Sequence, residues 1–158
     1  MTINVALAGA GAFGIKHLDA MSKIDDVRVV SVVGRTLEPT QEVAAKYGIG
    51  HVTTDLAESL ALDEVDAVVL ATPTQMHAAQ SIACLDAGKH VEVEIPLCDN
   101  LADGRRVVEA QQRTGLVAMC GHTRRFNPSH QWVNRRVQAN EFAIQQMDVQ
   151  TYFFRRTN

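Results

Sequence analysis

The chain has 158 residues and a formal net charge of −3, with 46% hydrophobic and 21% charged side chains. That is the composition of one ordinary globular domain, and it gives no general case for nucleic acid as a partner. Its three cysteines, Cys84, Cys98 and Cys120, lack CxxC or Cys/His ligand spacing, and neither a signal-peptide pattern nor an apolar run near the ~20 residues of a membrane span is present. A cytoplasmic protein with reduced thiols and no membrane partner is expected.

Strand and helix patterns alternate along most of the chain. Ile3–Ala8 is an apolar run ending in glycines, as a strand buried on both faces requires, and Phe13–Lys23 has helical spacing. Val27–Val33 is a valine-rich strand, Pro39–Tyr47 a helix stopped by Gly48, and His51–Thr53 a short strand before a helix capped by Asp55. Asp66–Ala71 is a strand, Thr74–Ala87 a helix closed by Gly88, and His90–Glu94 a strand. Leu101–Thr114 is a helix ended by Gly115, and Val117–Cys120 is a last parallel strand. Short connections between such units predict an α/β doubly wound parallel sheet of the Rossmann type, in strand order 3-2-1-4-5-6, over residues 1–122.

Beyond it the character changes. Residues 123–143 read as a connecting loop and a helix from Pro128 to Ala139. Ile144–Arg155 alternates like an antiparallel strand, so residues 144–158 are expected to begin a truncated α+β second domain. Such an uncovered strand predicts pairing between copies, hence a homo-oligomer. Charge is also uneven. Residues 1–100 carry 6 basic and 14 acidic side chains, whereas residues 101–158 carry 9 arginines and 4 acids. A small anionic ligand near the arginines explains that excess, and so does a solvated helix face.

The glycine pattern Gly9-Ala10-Gly11-Ala12-Phe13-Gly14 lies between a predicted strand and a predicted helix. Gly9 suits a tight turn, Gly11 a close approach to pyrophosphate, and Gly14 close helix–strand packing. With Ala12 and Phe13 they place backbone N–H groups of a helix start at the phosphates. At the end of the second strand, where a carboxylate would hold the ribose of NAD, stand Gly34-Arg35-Thr36. A guanidinium there favours the extra phosphate of NADP, with NAD as the alternative if Arg35 stacks on adenine or points to solvent.

Further along come Ala71-Thr72-Pro73-Thr74 with His77 one turn on, Gly88-Lys89-His90-Val91, and Glu94-Ile95-Pro96. In order and spacing this series resembles the glucose–fructose oxidoreductase/inositol dehydrogenase/MocA (Gfo/Idh/MocA) family along the whole chain. The resemblance implies Thr72, Pro73, His77, Glu94 and Pro96 at the cofactor, and a cis peptide before Pro96. It departs at Ile95, where the family carries a lysine, so the usual proton relay is not carried over. Gly121–Pro128 and Gln150–Arg156 narrow the resemblance to NADP-linked oxidation of the cyclic hemiacetal of an acidic semialdehyde, in the protocatechuate 4,5-cleavage route of bacterial aromatic degradation. A sugar or cyclitol dehydrogenase, or a non-catalytic NAD(P)-binding module, is the alternative.

His122 follows the last strand and is the candidate for proton transfer or substrate orientation; a histidine bonded to a loop carbonyl is the competing reading. Arg124 and Arg125 are the candidate forks for an anionic substrate, with Arg155 and Arg156 further along. Arg105, Arg106, Arg135 and Arg136 read as solvated helix faces, and Trp132, Phe153 and Phe154 as core or interface. His77 has two readings, at the cofactor or as a structural helix histidine, and His17 is expected to pack under the glycine loop. His51, His90 and His130 show no convergent pattern, so no metal is expected.

Overall fold

A computed structural model describes residues 2–150. Six parallel strands form one sheet in the order β3-β2-β1-β4-β5-β6, the doubly wound arrangement expected from the alternating pattern. The elements run β1 (Ile3–Ala8), α1 (Ala12–Met21), β2 (Val27–Val33), α2 (Leu37–Lys46), β3 (His51–Thr53) and α3 (Leu56–Leu60). They continue β4 (Ala67–Leu70), α4 (Thr74–Asp86), β5 (His90–Val93), α5 (Leu101–Thr114) and β6 (Ala118–Cys120). The chain then divides after Gly121 into a second compact unit. That unit holds a 3-10 turn, Thr123–Phe126, and α6 (Pro128–Gln138).

Alternation within the strands feeds two cores. Ala6 and Ala8 of β1 join Val68, Leu70, Val91 and Val93 against Cys84, Leu85 and Ala110 of α4 and α5. Val5 and Leu7, pointing the other way, join Val32 against Leu18, Met21 and Ala44 of α1 and α2. Leu7, Leu70 and Leu85 lose essentially all solvent contact. Each contributes about 1.5–3 kcal/mol by burial.

Helix ends differ from expectation by a residue or two, for local reasons. α2 starts at Leu37, with Pro39 inside its first turn, where a missing N–H costs no helical bond. Asp55 does cap α3, its side chain accepting from Ala57 N at 2.9 Å. α5 ends on Gly115 in the left-handed conformation, φ 68°.

One expected element is missing. Residues 144–150 of the predicted strand Ile144–Arg155 form no strand, and residues 151–155 lie outside the described residues. Alternation assigns side chains to faces but supplies no partner, and an unpaired strand has no ladder to hold it. The expected pairing of copies through that strand therefore has no formed edge over 144–150. Among the described residues, no helix is long and apolar enough to cross a membrane.

Candidate functional site

The sheet delivers its loops to one edge. Gly9 N donates to Val33 O at 2.8 Å and Ala71 N to Ala8 O at 2.8 Å, so the glycine loop sits between the ends of β2 and β4. Gly9 has φ 105°, and a Cβ there would collide with the Ala71 carbonyl. A Cβ on Gly14 would strike the Gly9 carbonyl oxygen, which is how α1 comes close enough to β1. Gly11 is different: an added Cβ meets nothing within 4 Å. No side chain caps α1 at Gly11, and Ala12 and Phe13 are exposed on its first turn. Two glycines are thus demanded by the protein itself, while the third faces open space beside uncapped N–H groups. This cradle fits a pyrophosphate.

At the end of β2, Gly34 is buried because Thr40 of α2 occupies the position its Cβ would take. Thr40 Oγ1 donates to Thr36 O at 2.6 Å and fixes the turn. Arg35 projects from that turn exposed, with no hydrogen bond or ion pair among the described residues.

On the other side lie the turns after β4 and β5. The peptide between Ile95 and Pro96 is cis, as expected from the resemblance. His77 is 1% exposed, and its two ring nitrogens lie 2.7 Å from Pro96 O and 2.8 Å from Thr72 O. Of its two readings, the ring takes the internal one: it is committed to backbone carbonyls and has no face left for a ligand. Glu94, expected at the cofactor, also turns inward. Its Oε1 lies 2.9 Å from His17 Nε2, and its Oε2 accepts from Ile95 N at 3.2 Å. Thr72 Oγ1 donates to Gln80 Oε1 at 2.6 Å, and Pro73 precedes α4 as its cap residue. Ile95 itself is exposed.

Glu92 is a participant that sequence reasoning missed, although two-residue periodicity places it on the same sheet face as Glu94. Burial raises its carboxyl above the ordinary value of 4.5; the charge of His17 offsets this, Glu94 adds to it, and His77 offsets it again. Its Oε2 is buried without a hydrogen-bond partner among the described residues. Its Oε1 lies 2.5 Å from the place a Cβ on Gly121 would take, so the carboxyl end sits against that glycine and would have to move aside for a side chain there. Cys120 is raised by its own burial and then by Glu92, and buried Cys84 is pushed up to about 12, so both thiols stay protonated at neutral pH.

In the second unit, His122 is exposed and its ring makes no hydrogen bond among the described residues; its carbonyl accepts from Arg125 N at 2.9 Å. Arg124 and Arg125 line a cleft of about 580 Å³ with His130, Gln131, Asn134 and Arg135. Arg135, read from the sequence as a solvated face and exposed here, also joins the two expected arginines, and among the described residues no carboxylate lines the cleft. Trp132 is not core among the described residues: it is 51% exposed, with the Arg136 guanidinium 4.4 Å from its ring. Phe153, Phe154, Arg155 and Arg156 lie outside the described residues. No cluster of metal-binding side chains occurs among the described residues.

A glycine cradle at the switch point of a doubly wound sheet defines a dinucleotide-binding oxidoreductase domain. Residues 3–122 match the oxidoreductase family with a NAD-binding Rossmann fold, Gfo/Idh/MocA, and residues 128–158 match the C-terminal family of bacterial oxidoreductases. The chain belongs to the Gfo/Idh/MocA oxidoreductase family. It is 64% identical over 156 residues to 4-carboxy-2-hydroxymuconate-6-semialdehyde dehydrogenase of Sphingobium sp. strain NBRC 103272 / SYK-6, covering 99% of this chain and 50% of that protein. Inositol 2-dehydrogenase of Rhodococcus erythropolis is 36% identical over 127 residues, covering 79% of this chain and 37% of that one. Among solved structures, a probable dehydrogenase from Thermotoga maritima superposes with a TM-score of 0.83 at 28% identity, over 87% of this chain and 41% of that one. GenD2 from gentamicin A biosynthesis, in complex with NAD, superposes at 0.80 and 30% identity, over 89% and 39%. The chain spans about half the length, or less, of the curated relatives it matches.

Proposed function

We propose that this chain is the dinucleotide-binding part of an NADP-dependent cytoplasmic dehydrogenase acting on the cyclic hemiacetal of 4-carboxy-2-hydroxymuconate-6-semialdehyde. The product is 2-pyrone-4,6-dicarboxylate. The observation that carries the reading is the open space at Gly11, between glycines locked by packing and beside uncapped helix N–H groups. The 64% identical relative supports the substrate, and the free thiols of Cys84, Cys98 and Cys120 support a reducing compartment.

The roles follow from chemistry. Backbone N–H groups at Gly11, Ala12 and Phe13 bind pyrophosphate, and Arg35 with Thr36 binds the 2′-phosphate. Thr72, Pro73 and the Glu94–Pro96 turn border the nicotinamide half. When bound, the oxidised nicotinamide supplies the hydride acceptor. Forming the lactone carbonyl also releases the hemiacetal proton, and His122 is the candidate to take it, since Ile95 carries no ionisable group. Arg124, Arg125 and Arg135 offer planar cationic forks to the two substrate carboxylates.

By itself the 158-residue chain is expected to bind NADPH more tightly than NADH and to turn over little or no semialdehyde. Fluorescence titration with both nucleotides tests the first half. Turnover assays with and without the separately supplied C-terminal half of the dehydrogenase test the second. Absence of dinucleotide binding at millimolar concentration sinks the reading; binding without turnover on complementation leaves a nucleotide-binding module instead.

A further inference from the structure

The Glu94–Pro96 turn is held from two directions by histidines on two different helices. His17 of α1 stands one turn beyond the glycine loop, with Nε2 2.9 Å from Glu94 Oε1. The other oxygen of that carboxylate accepts the Ile95 N–H, so the imidazole and the turn's own backbone share one carboxylate. His77 of α4 holds the other end, with Nδ1 on Pro96 O and Nε2 on Thr72 O. A carbonyl oxygen only accepts, so the one N–H of a neutral His77 ring serves whichever of the two carbonyls its tautomer faces. Neither ring faces open solvent: His77 is buried, and the His17 side chain is 22% exposed.

Three loops from three strands meet at this edge, and the ladder bonds that join them, Ala71 N to Ala8 O and Glu94 N to Leu70 O, stop at the base of each loop. The histidines supply the link beyond it. Through α1, His17 refers the turn to the glycine loop; His77 refers it to the Thr72–Pro73 turn, which itself packs on Gly9 through Ala71. We propose that His17 and His77 are positioning residues that hold the Glu94–Pro96 turn at a fixed spacing from the glycine loop and the Thr72 turn, so that it fits the nicotinamide half of the dinucleotide. The proposal rests on the cofactor reading above. It concerns residues that need not touch the cofactor at all.

The geometry allows a crossed test. An asparagine amide nitrogen occupies roughly the place of histidine Nδ1, and a glutamine amide nitrogen that of Nε2. His17 acts through Nε2, so His17→Gln keeps the link to Glu94 and His17→Asn loses it. His77 reaches Pro96 through Nδ1 and Thr72 through Nε2, so His77→Asn keeps the Pro96 end and loses the Thr72 end, while His77→Gln does the reverse. The expected pattern is therefore opposite at the two positions. His17→Asn and His77→Gln should weaken NADPH binding about fivefold or more and speed exchange of the Ile95 and Leu97 amides by a similar factor, the value of one lost hydrogen bond. Binding of 2′,5′-ADP, which lacks the nicotinamide half, should stay within about twofold in all four variants. His17→Gln should behave like the parent chain in both measurements, and His77→Asn, which keeps the Pro96 end, should keep the parent's exchange at Ile95 and Leu97.

Measurements are made on the whole chain, with melting curves to identify any variant that fails to fold; the half-buried His17 pair then decides the question without the buried one. An uncrossed pattern, or loss of NADPH and 2′,5′-ADP binding in parallel, overturns the proposal in favour of a general packing role. If the parent chain binds neither nucleotide, the cofactor reading fails, and the amide-exchange pattern alone decides whether the histidines hold the turn.

Discussion

The two units of this chain are held by different kinds of interaction. In the first, the strands from Ile3 to Cys120 are paired in a single sheet, and the glycine loop is clamped by backbone atoms of Gly9 and Ala71. In the second, neither the 3-10 turn nor α6 buries a residue among those described. Its supports are local: Asn127 caps α6, Arg136 stacks on Trp132, and Arg136 pairs with Glu141 at 2.6 Å. Each is worth about 1 kcal/mol or less on an exposed surface. Close packing can therefore hold a phosphate cradle to atomic tolerance in the first unit. In the second, the spacing of Arg124, Arg125 and Arg135 is set by the turn and helix that carry them.

The sharpest test of that contrast is Gly14→Ala. The new methyl meets a carbonyl oxygen of Gly9 and not a movable side chain. A cost of about 3 kcal/mol or more is expected, measured by urea unfolding. A change under 1 kcal/mol would mean that the loop yields, and that packing does not fix it.

Gly11→Ala should leave the melting temperature unchanged, because its φ of −80° and ψ of −169° suit alanine and the space beside it is empty. NADPH affinity should nevertheless fall about tenfold or more, since the methyl takes the place of the approaching pyrophosphate. Arg35→Ala should cost NADPH roughly tenfold while leaving NADH and stability alone, the loss of charge-assisted hydrogen bonds to one phosphate. Equal losses for both nucleotides would assign Arg35 to the adenine instead.

Much of the first unit was legible in the residues. β1, β2, β3 and α5 have their expected bounds, because buried apolar runs punctuated by glycine leave few alternatives. What could not be read depends on contacts distant in sequence. His17 and Glu94 are 77 residues apart, and the Glu92 carboxyl lies against Gly121, just past the end of the neighbouring strand. The VEVE alternation did mark Glu92 and Glu94 as sharing a face, and an acid on a half-buried strand was a signal worth following. The strand expected over Ile144–Arg155 does not form over 144–150 for the opposite reason: its pattern was local, and strand formation is not. Arg135 is exposed on its helix as read, but helical spacing alone does not say that it shares a cleft with Arg124 and Arg125.

Asn127→Ala tests the weak side of the contrast. It removes the acceptor for Ser129 N and His130 N, and should cost α6 about 1 kcal/mol. The loss should appear as reduced helicity without a shift in the main unfolding midpoint, because the supports of the second unit are its own.

The smallest expected effect is also the most directional. Burial raises the Glu92 carboxyl above 4.5 in the folded chain, so between that value and the folded one the native state binds more protons than the unfolded state. Stability linked to Glu92 is then fully present below pH 4.5 and is lost as pH rises through the folded value. Glu92→Gln removes the charge and keeps the shape. It should raise the melting temperature at pH 7 to 8, with the gain shrinking towards nothing near pH 4. The attraction of His17 and His77 for a carboxylate works against this, but it is the lesser influence beside burial. A variant less stable than the parent at pH 7 would show that the two histidines outweigh burial, and that Glu92 is held ionised as their counter-charge.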